Sequence, residues 1–368
     1  MKTMPITVIR AIELLGIMLL GALVVIGVDI IMPILMAFFI SIMLLPVYRF
    51  LKNKRVPSTL AIIIPILLLF VFFALIVWFF SSQIGALVSD FPAIKSNVNK
   101  HLTDLSVWID NKVHYSTKQQ LKFVSEQSNK LLGSAGNVLT GALGSISGIF
   151  LFFGLIPIYI YLMLYYKNLF LRFIFMWFND DSHKKVEDSL REIETIIKSY
   201  LIGLIIQISY ITILLGGILL IVGIKHALLI GVIFALLNLI PYVGALIGNI
   251  IGMLLTLTSS TEISSLVTVL IVIAIVQFLD NNILMPRILG SKVKINALSA
   301  ILGVIIGGSL AGISGMFLAL PIIAVLKIVF DRSVMFKHWG VLLSDDVPKV
   351  SPLGFSILRR KKPKPIES

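Results

Sequence analysis

The sequence predicts an all-α protein that crosses a membrane several times, and two observations carry this prediction. Hydrophobic residues make up 58% of the 368-residue chain, and its mean hydropathy is +1.03. A water-soluble fold cannot bury that much apolar surface, whereas a lipid bilayer solvates it. The apolar stretches are also continuous rather than alternating with polar residues, which favours spanning helices over a β-barrel. The lipid bilayer is therefore the first expected partner.

Charge and cysteine content narrow the classes of function. The net charge is +13, and the chain has no cysteine. Because the bases lie in loops and in a basic tail at 331–368, contact with anionic lipid headgroups explains them better than binding of nucleic acid. The lack of cysteine excludes disulfides and thiolate metal sites, and the five histidines are scattered along the chain. We expect no metal, no cofactor and no nucleic-acid partner.

The N-terminal region, residues 1–80, is predicted to contain a membrane hairpin and a third span. The stretch Leu14–Tyr48 is too long for one crossing, which needs about 20 residues, and Asp29 and Pro33 divide it. The third span is Ser58–Phe80. The loop between them has four bases and no acid, so the positive-inside rule places this loop and the N-terminus in the cytoplasm. These bases are Arg49, Lys52, Lys54 and Arg55.

The middle of the chain alternates between polar and membrane segments. Residues 81–133 are predicted to form an extracytoplasmic helical insertion, because apolar residues recur there at helical spacing. Two roles stay open for it: a lid or partner-docking domain, and a helical hairpin packed on the membrane face or on a sister subunit. Residues 134–178 contain the fourth span. Residues 179–199 form a cytoplasmic amphipathic helix with the predicted i,i+4 ion pairs Glu187–Arg191 and Glu194–Lys198.

The C-terminal core, residues 200–330, contains two apolar stretches that are too long for single crossings. They are His226–Thr258 and Ala297–Phe330, and a straight helix of about 34 residues would be ~50 Å long against an apolar bilayer core of ~30 Å. If each stretch crossed once, the basic connector Asp280–Lys294 would face outside, against the positive-inside rule. If each stretch is a hairpin that enters and leaves on one side, the connector and the basic tail both face the cytoplasm. The sequence therefore predicts two re-entrant hairpins that enter from opposite sides.

Breaks in both stretches support the hairpins. Pro241 and Gly244 interrupt the first stretch, and four glycines interrupt the second: Gly307, Gly308, Gly312 and Gly315. Non-helical backbone at membrane depth is tolerated only where protein or a water-filled cavity satisfies it, and paired broken segments point to a transport site. We therefore predict the site where residues 238–249 and 303–315 meet. The alternative for the glycines is close helix packing alone.

These residues also carry a resemblance to a known family. Three segments resemble the autoinducer-2 exporter-type (AI-2E) transporter family: Pro-Tyr-Val-Gly at 241–244, the connector from Asp280 through Pro286 to Gly290, and Gly303–Lys327. The resemblance implies about eight transmembrane segments, a homo-oligomer in the bacterial cytoplasmic membrane, and export of a small solute. Some relatives are assigned autoinducer-2 export, which serves quorum sensing, and others sodium (or lithium)/proton antiport.

The chain departs from the family pattern at three places. Ala245 stands where members often have proline, and Lys294 where they often have glycine. Asn296 and Ala297 stand where members often have His-Pro. A histidine titrates near neutral pH and an asparagine does not, so the resemblance transfers no proton-coupling role to that position.

Ion coupling needs a group that changes charge or binds a cation within the membrane. Asp280 is the leading candidate, because Gln277 and Asn281 lie beside it on one helix face. The alternative is that Asp280 caps the helix that follows and pairs with Arg287.

A small polyol-like solute needs hydrogen-bonding groups at the first break. Asn238, Tyr242 and Asn249 offer them, although Asn249 could equally satisfy carbonyls freed by Pro241. The complete set of candidate transport or binding residues is Asn238, Pro241, Tyr242, Gly244, Gly248, Asn249, Gln277, Asp280, Asn281, Pro286, Arg287, Gly290, Gly307, Gly308 and Gly312.

Motifs of enzymes and ATP-driven pumps are missing from the sequence. There is no Gly-Lys pair as in a phosphate-binding loop, no His-Glu-x-x-His and no Gly-x-Ser-x-Gly. We therefore expect no catalytic residues. Three functions stay open: a small-solute exporter, a sodium (or lithium)/proton antiporter, and a structural membrane protein that docks partners through 81–133.

A single cysteine in the connector tests the predicted topology. Leu284→Cys would be the only cysteine in the chain, so labelling reports that position alone. If both long stretches are re-entrant, a membrane-impermeant maleimide should react in inside-out vesicles and not in intact cells. Reaction in intact cells alone would contradict the hairpins.

Overall fold

A computed structural model of the chain describes residues 5–79, 146–240, 243–257, 262–284, 295–333 and 336–346, with positions 82, 96, 97, 100 and 286 between them. Regular structure in these ranges is helical, and one backbone bridge, Ile295 to Ser344, pairs extended residues. The all-α class is therefore confirmed for the described chain. The insertion 81–133 and the tail 331–368 lie largely outside the described residues.

Three helices fill the N-terminal region: α1 (Ile6–Ile26), α2 (Val28–Asn53) and α3 (Ser58–Phe79). The break between α1 and α2 falls at Gly27, whereas the sequence predicted it at Asp29 and Pro33. A side chain at Gly27 would place its Cβ 3.0 Å from a backbone carbonyl oxygen of α1. α2 continues through Pro33, as membrane helices tolerate proline when neighbours satisfy the freed backbone groups.

Helices α4 (Ile146–Tyr165) and α5 (Lys167–Met176) meet at a bend of 62°. α5 buries none of its residues. Lys167 at its start lies over the ring of Tyr48 on α2, with Nζ 3.8 Å from the ring centre. An exposed apolar helix with basic residues is typical of a segment lying in the membrane interface.

The long helix α6 (Asp180–Ile221) supports the rest of the bundle. It is 42 residues long and includes a π-helical turn at Thr212–Gly216. The predicted amphipathic helix 179–199 and the fifth span are therefore one continuous helix. Its length of roughly 63 Å exceeds the bilayer core.

An ion pair attaches α2 to the first half of α6. The Glu194 carboxylate accepts hydrogen bonds of 2.6 and 3.0 Å from Arg49 of α2, and not from the predicted partner Lys198. The predicted pair Glu187–Arg191 is present at 2.7 Å.

The described residues of the stretch His226–Thr258 fold back on one another as the first hairpin. Its arms are α7 (Ala227–Leu237) and α8 (Val243–Thr256). A Cβ at Gly244 would lie 1.8 Å from the carbonyl oxygen of Leu237, and one at Gly248 would lie 2.6 Å from the ring of Phe234. The arms therefore touch only because these glycines lack side chains.

Helix α9 (Ile263–Leu279) continues as a π-helical segment over Asp280–Leu284. The predicted connector Asp280–Lys294 is therefore wrong at its start, because Asp280–Leu284 continue the preceding helix. Residues 287–294 of the connector lie outside the described chain.

The stretch Ala297–Phe330 folds back as the second hairpin. It lies within α10 (Ala297–Arg332), which is broken at Ala311 and at Gly312, where φ is +58°. Residues other than glycine rarely adopt that backbone conformation. A Cβ at Gly307 would lie 2.5 Å from the carbonyl oxygen of Gly315, so the arms on either side of the break run antiparallel in contact.

The first and last residues of each hairpin lie close together, and the two hairpins open towards opposite ends of α6. Residues 222–225, just before the first hairpin, and 262–268, just after it, line one pocket at the end of α6. The start and end of the second hairpin meet near the beginning of α6, where Arg332 binds Glu192 at 2.6 Å. There the short helix α11 (Lys337–Leu343) closes the bundle, and Asn296 donates a 2.6 Å hydrogen bond to its Leu342 carbonyl.

By length and composition, five helices of the described chain can cross a membrane, or six if the bent pair α4–α5 counts as one span. This count includes α10, which is broken at Gly312. About eight segments were expected from the family resemblance. The arms of the first hairpin contain 11 and 14 residues, which is too short for a full crossing.

Packing at the second hairpin can be tested by adding one methyl group. Gly307→Ala should lower the free energy of unfolding by about 2 kcal/mol, since its Cβ has no room beside Gly315. Gly217→Ala is the matched control, because nothing lies within 4 Å of a Cβ there. Thermal melting in detergent should show a lower midpoint for Gly307→Ala alone, and equal midpoints for both variants would contradict the hairpin contact.

Candidate carboxylate site

The carboxylate of Asp280 is buried inside the helical bundle. Only 1% of this residue is exposed. Gln207 donates from Nε2 to Oδ2 at 3.0 Å, and Asn238 donates from Nδ2 to the same oxygen at 2.9 Å. The hydroxyl of Tyr210 donates to Oδ1. We call these four residues the carboxylate cluster.

The cluster joins three separate elements of the fold. Gln207 and Tyr210 lie one turn apart on the same face of α6. Asn238 is the residue that ends α7, where the first hairpin breaks. Asp280 begins the π-helical segment after α9, and π-turns occur often at functional sites.

The electrostatics of the cluster are unusual because every donor is neutral. Among the described residues, no basic side chain forms a salt bridge with Asp280. Burying an ionised carboxylate is costly, and neutral hydrogen bonds offset only part of that cost. A proton or a metal cation would remove the uncompensated charge.

Within the described part of the chain, several buried side-chain oxygen atoms have no hydrogen-bond partner. They include Oε1 of Gln207 and, elsewhere on α6 and α9, Oγ1 of Thr212 and Oε1 of Gln277. Gln207 is 1% exposed, and its free oxygen belongs to the same amide that binds Asp280. Rotation of that amide would turn Oε1 towards the carboxylate, where it could accept an acid proton or coordinate a cation. No cluster of three or more His, Asp or Glu residues that could hold a metal occurs in the described ranges.

A second feature adjoins the cluster where the two hairpin tips meet. Leu239 and Ile240 of the first tip, with Ile313 and Ser314 of the second, line one cavity of about 390 Å³. Residues from both segments in which the site was predicted, 238–249 and 303–315, therefore line the same cavity. The cavity wall is apolar, whereas the sequence analysis expected groups that bind a polyol.

Comparison with known sequences decides the family. A family profile described as AI-2E family transporter matches residues 14–335. The chain belongs to the AI-2E transporter family.

Relatives in this family match over most of their length. The candidate transport protein YrrI of Bacillus subtilis is 28% identical over 81% of this chain and 84% of its own. YueF of the same organism, also a candidate transport protein, is 26% identical over a region that covers 81% of this chain and 82% of YueF. The Escherichia coli protein named AI-2 transport protein TqsA is 25% identical over a region that covers 89% of this chain and 95% of TqsA.

Of the predicted site residues in this AI-2E protein, the structure brings Asn238 and Asp280 into direct contact. Asp280 has helical backbone angles, φ −58° and ψ −57°, so it does not cap a following helix as the alternative proposed. Gln277 donates to Asn281 at 3.3 Å on a partly exposed face. Asn249 donates to the carbonyl of Ala245 at 2.7 Å, which is the backbone role that was weighed against solute binding.

The remaining predicted residues are structural or undescribed. The glycines at 244, 248, 307, 308 and 312 shape the hairpins, and Pro286 is exposed. Four candidates lie outside the described residues: Pro241, Tyr242, Arg287 and Gly290.

Sequence reasoning missed Gln207 and Tyr210. A signal was available, since a glutamine and a tyrosine three residues apart share one face of an otherwise apolar helix. Their partner on α9 is 73 and 70 residues away along the chain, so the sequence alone did not pair them.

Removing a donor should destabilise the AI-2E fold more than removing an exposed amide. Asn238→Leu leaves Asp280 with one hydrogen bond fewer, and we expect a loss of about 2 kcal/mol in unfolding free energy. Asn282→Leu is the control, because its amide is exposed and, among the described residues, donates to the carbonyl of Phe278 on its own helix. Melting of the double variant Asn238→Leu/Asp280→Leu should show less than additive loss, since no buried charge is left unpaired. Additive losses would contradict the coupling within the cluster.

Proposed function

We propose that this AI-2E family member is a secondary transporter that exports a small solute and uses Asp280 as its coupling group. The observation that carries the proposal is the carboxylate of Asp280 at the end of α9, which is 1% exposed. Three neutral donors hold it, two from α6 and one from the first hairpin tip. Ionisable groups buried in membrane segments are costly and are typical of ion pathways and proton relays.

The cluster can respond to a cation through its hydrogen bonds. An ionised Asp280 accepts from all three donors, whereas a protonated Asp280 must itself donate to an acceptor. The unpartnered Oε1 of Gln207 can supply that acceptor after its amide rotates. Gain or loss of a proton or sodium ion would therefore change the contacts among three elements, which is the differential interaction that coupling requires.

Topology follows from the positive-inside rule. Lys52 in the last turn of α2 and Lys54 and Arg55 just after it have no acid beside them, so we assign this end of the bundle to the cytoplasm. In the bacterial cytoplasmic membrane, the first hairpin would then enter from outside and the second from the cytoplasm, with both termini cytoplasmic. Oppositely facing broken segments around one site are characteristic of secondary transporters.

A sodium (or lithium)/proton antiporter is the second candidate, and Asp280 itself favours it. The sequence alone showed few acids near the membrane, which argued mildly against antiport. The burial of Asp280 supports it, because exchangers place a carboxylate within the bundle. Autoinducer-2 as the solute is supported by the name of the relative TqsA. A homo-oligomer stays a prediction, and a docking role for 81–133 concerns residues outside the described chain.

Replacing the carboxylate tests the coupling role. Asp280→Asn keeps the shape of the side chain and removes its charge, so cation-driven proton flux in proteoliposomes should fall at least tenfold, to the level of empty liposomes. Asp29→Asn is the matched control, because Asp29 is an exposed acid in the first turn of α2 and its flux should match the wild type.

The same liposomes separate the candidate functions. Sodium- or lithium-driven proton flux without autoinducer-2 efflux would favour the antiporter, and efflux driven by a proton gradient would favour the exporter. Wild-type flux and efflux in correctly folded Asp280→Asn protein would overturn the assignment of Asp280.

A further inference from the structure

The cavity between the two hairpin tips is distinct from the carboxylate cluster and has a different chemistry. Its volume of about 390 Å³ lies within the range of small-molecule pockets, roughly 300–1,000 Å³. Helices α2, α3, α4 and α6 form its walls, and both hairpin tips contribute to it. We call it the tip cavity.

The lining of the tip cavity is almost entirely hydrocarbon and aromatic. Phe39 of α2, Phe70 of α3 and Phe317 of the second hairpin are among its side chains. Among the described residues of the lining, Ser314 has the only polar side chain. Its hydroxyl makes no hydrogen bond within the described part of the chain, and it lies in the first turn after the break at Gly312.

The tip cavity and the carboxylate cluster share two elements. On α6, Leu204 and Ile208 line the cavity while the intervening Gln207 binds Asp280. At the first tip, Leu239 lines the cavity and its neighbour Asn238 binds the same carboxylate. A change of hydrogen bonding at Asp280 would therefore act directly on two walls of the cavity.

We propose that the tip cavity is the solute site and that it takes an apolar or amphiphilic molecule with one polar group, rather than a polyol. This proposal rests on the proposed transport function and names its class of substrate. The hydroxyl of Ser314 binds the polar group, and the aromatic and aliphatic walls bind the rest of the molecule.

The energetics of burial exclude polyols from such a site. Each hydroxyl that loses water without gaining a partner costs about 1–3 kcal/mol. The described part of the lining offers one hydroxyl, whereas a polyol has several. An apolar molecule gains roughly 25 cal/mol for each Å² that it removes from water. The same site therefore favours apolar molecules and penalises sugar-like ones.

Equilibrium binding of N-phenyl-1-naphthylamine to the full chain in nanodiscs tests the proposal. This probe is an aromatic amine with one polar group, and binding to empty nanodiscs supplies the background. We expect saturable binding to the wild type that an excess of ribose does not displace. Displacement by ribose, or no saturable binding above background, would overturn the proposal.

Two neighbouring residues on α6 give a matched pair of variants. Ile205 lines the cavity and Ile206 does not, yet both are comparably exposed, at 38% and 45%. Ile205→Trp fills part of the cavity and should weaken binding at least tenfold. Ile206→Trp faces away and should bind as the wild type does. Equal affinities in the two variants would overturn the proposal.

A measurement on the wild type covers the case in which Ile205→Trp does not fold. A photoactivatable phenyldiazirine should label α6 and both tips around the cavity, and saturating N-phenyl-1-naphthylamine should suppress that labelling. Labelling that is spread evenly over lipid-facing helices and is not suppressed would contradict the site. Binding of the probe is measured without any ion gradient, so it would persist even if Asp280 were not the coupling group. If the tip cavity were not the solute site, cation-driven proton flux would still be observed.

Discussion

One buried carboxylate and the three neutral side chains that bind it hold the centre of the helical bundle together. Asp280 is held by Gln207, Tyr210 and Asn238, and these come from the long helix α6 and the first hairpin tip. An unpaired ionised carboxylate in a membrane bundle is costly. A protein retains such a group where its change of charge is useful. The same hydrogen bonds fix the first hairpin against α6, so structural order and the charge state of one residue are linked.

Glycine packing makes this arrangement possible. Gly244 and Gly248 let the arms of the first hairpin touch, and Gly307 and Gly315 do the same for the second. Larger residues would separate the arms and withdraw Asn238 from Asp280. Close helix packing and a transport site are therefore compatible explanations of these glycines, because the close contacts position both hairpin tips around one cavity.

The sequence predicted the fold better than the chemistry of the site. Segment length, the positive-inside rule and the Gly and Pro breaks are local signals, and they pointed to the fold-back of both long stretches and to Asp280. They could not pair Asp280 with Gln207, since contacts between helices depend on tertiary packing. They also placed the break between α1 and α2 at Asp29 and Pro33, whereas it lies at Gly27. They predicted a polar solute site, because the sequence does not show that Asn238 and Asn249 bind groups within the protein. Both amides are used within the protein, and the cavity beside them is apolar.

Infrared difference spectroscopy of the protein in liposomes tests the central claim most directly. The spectrum at low pH minus the spectrum after addition of sodium at higher pH contains the carbonyl stretch of any carboxyl group that loses its proton. We predict that the wild type and Asp29→Asn show a component of this band from a carboxyl group buried away from water, and that Asp280→Asn lacks this component. A band that persists unchanged in Asp280→Asn, or its absence from the wild type, would contradict the claim that Asp280 is the group whose charge changes.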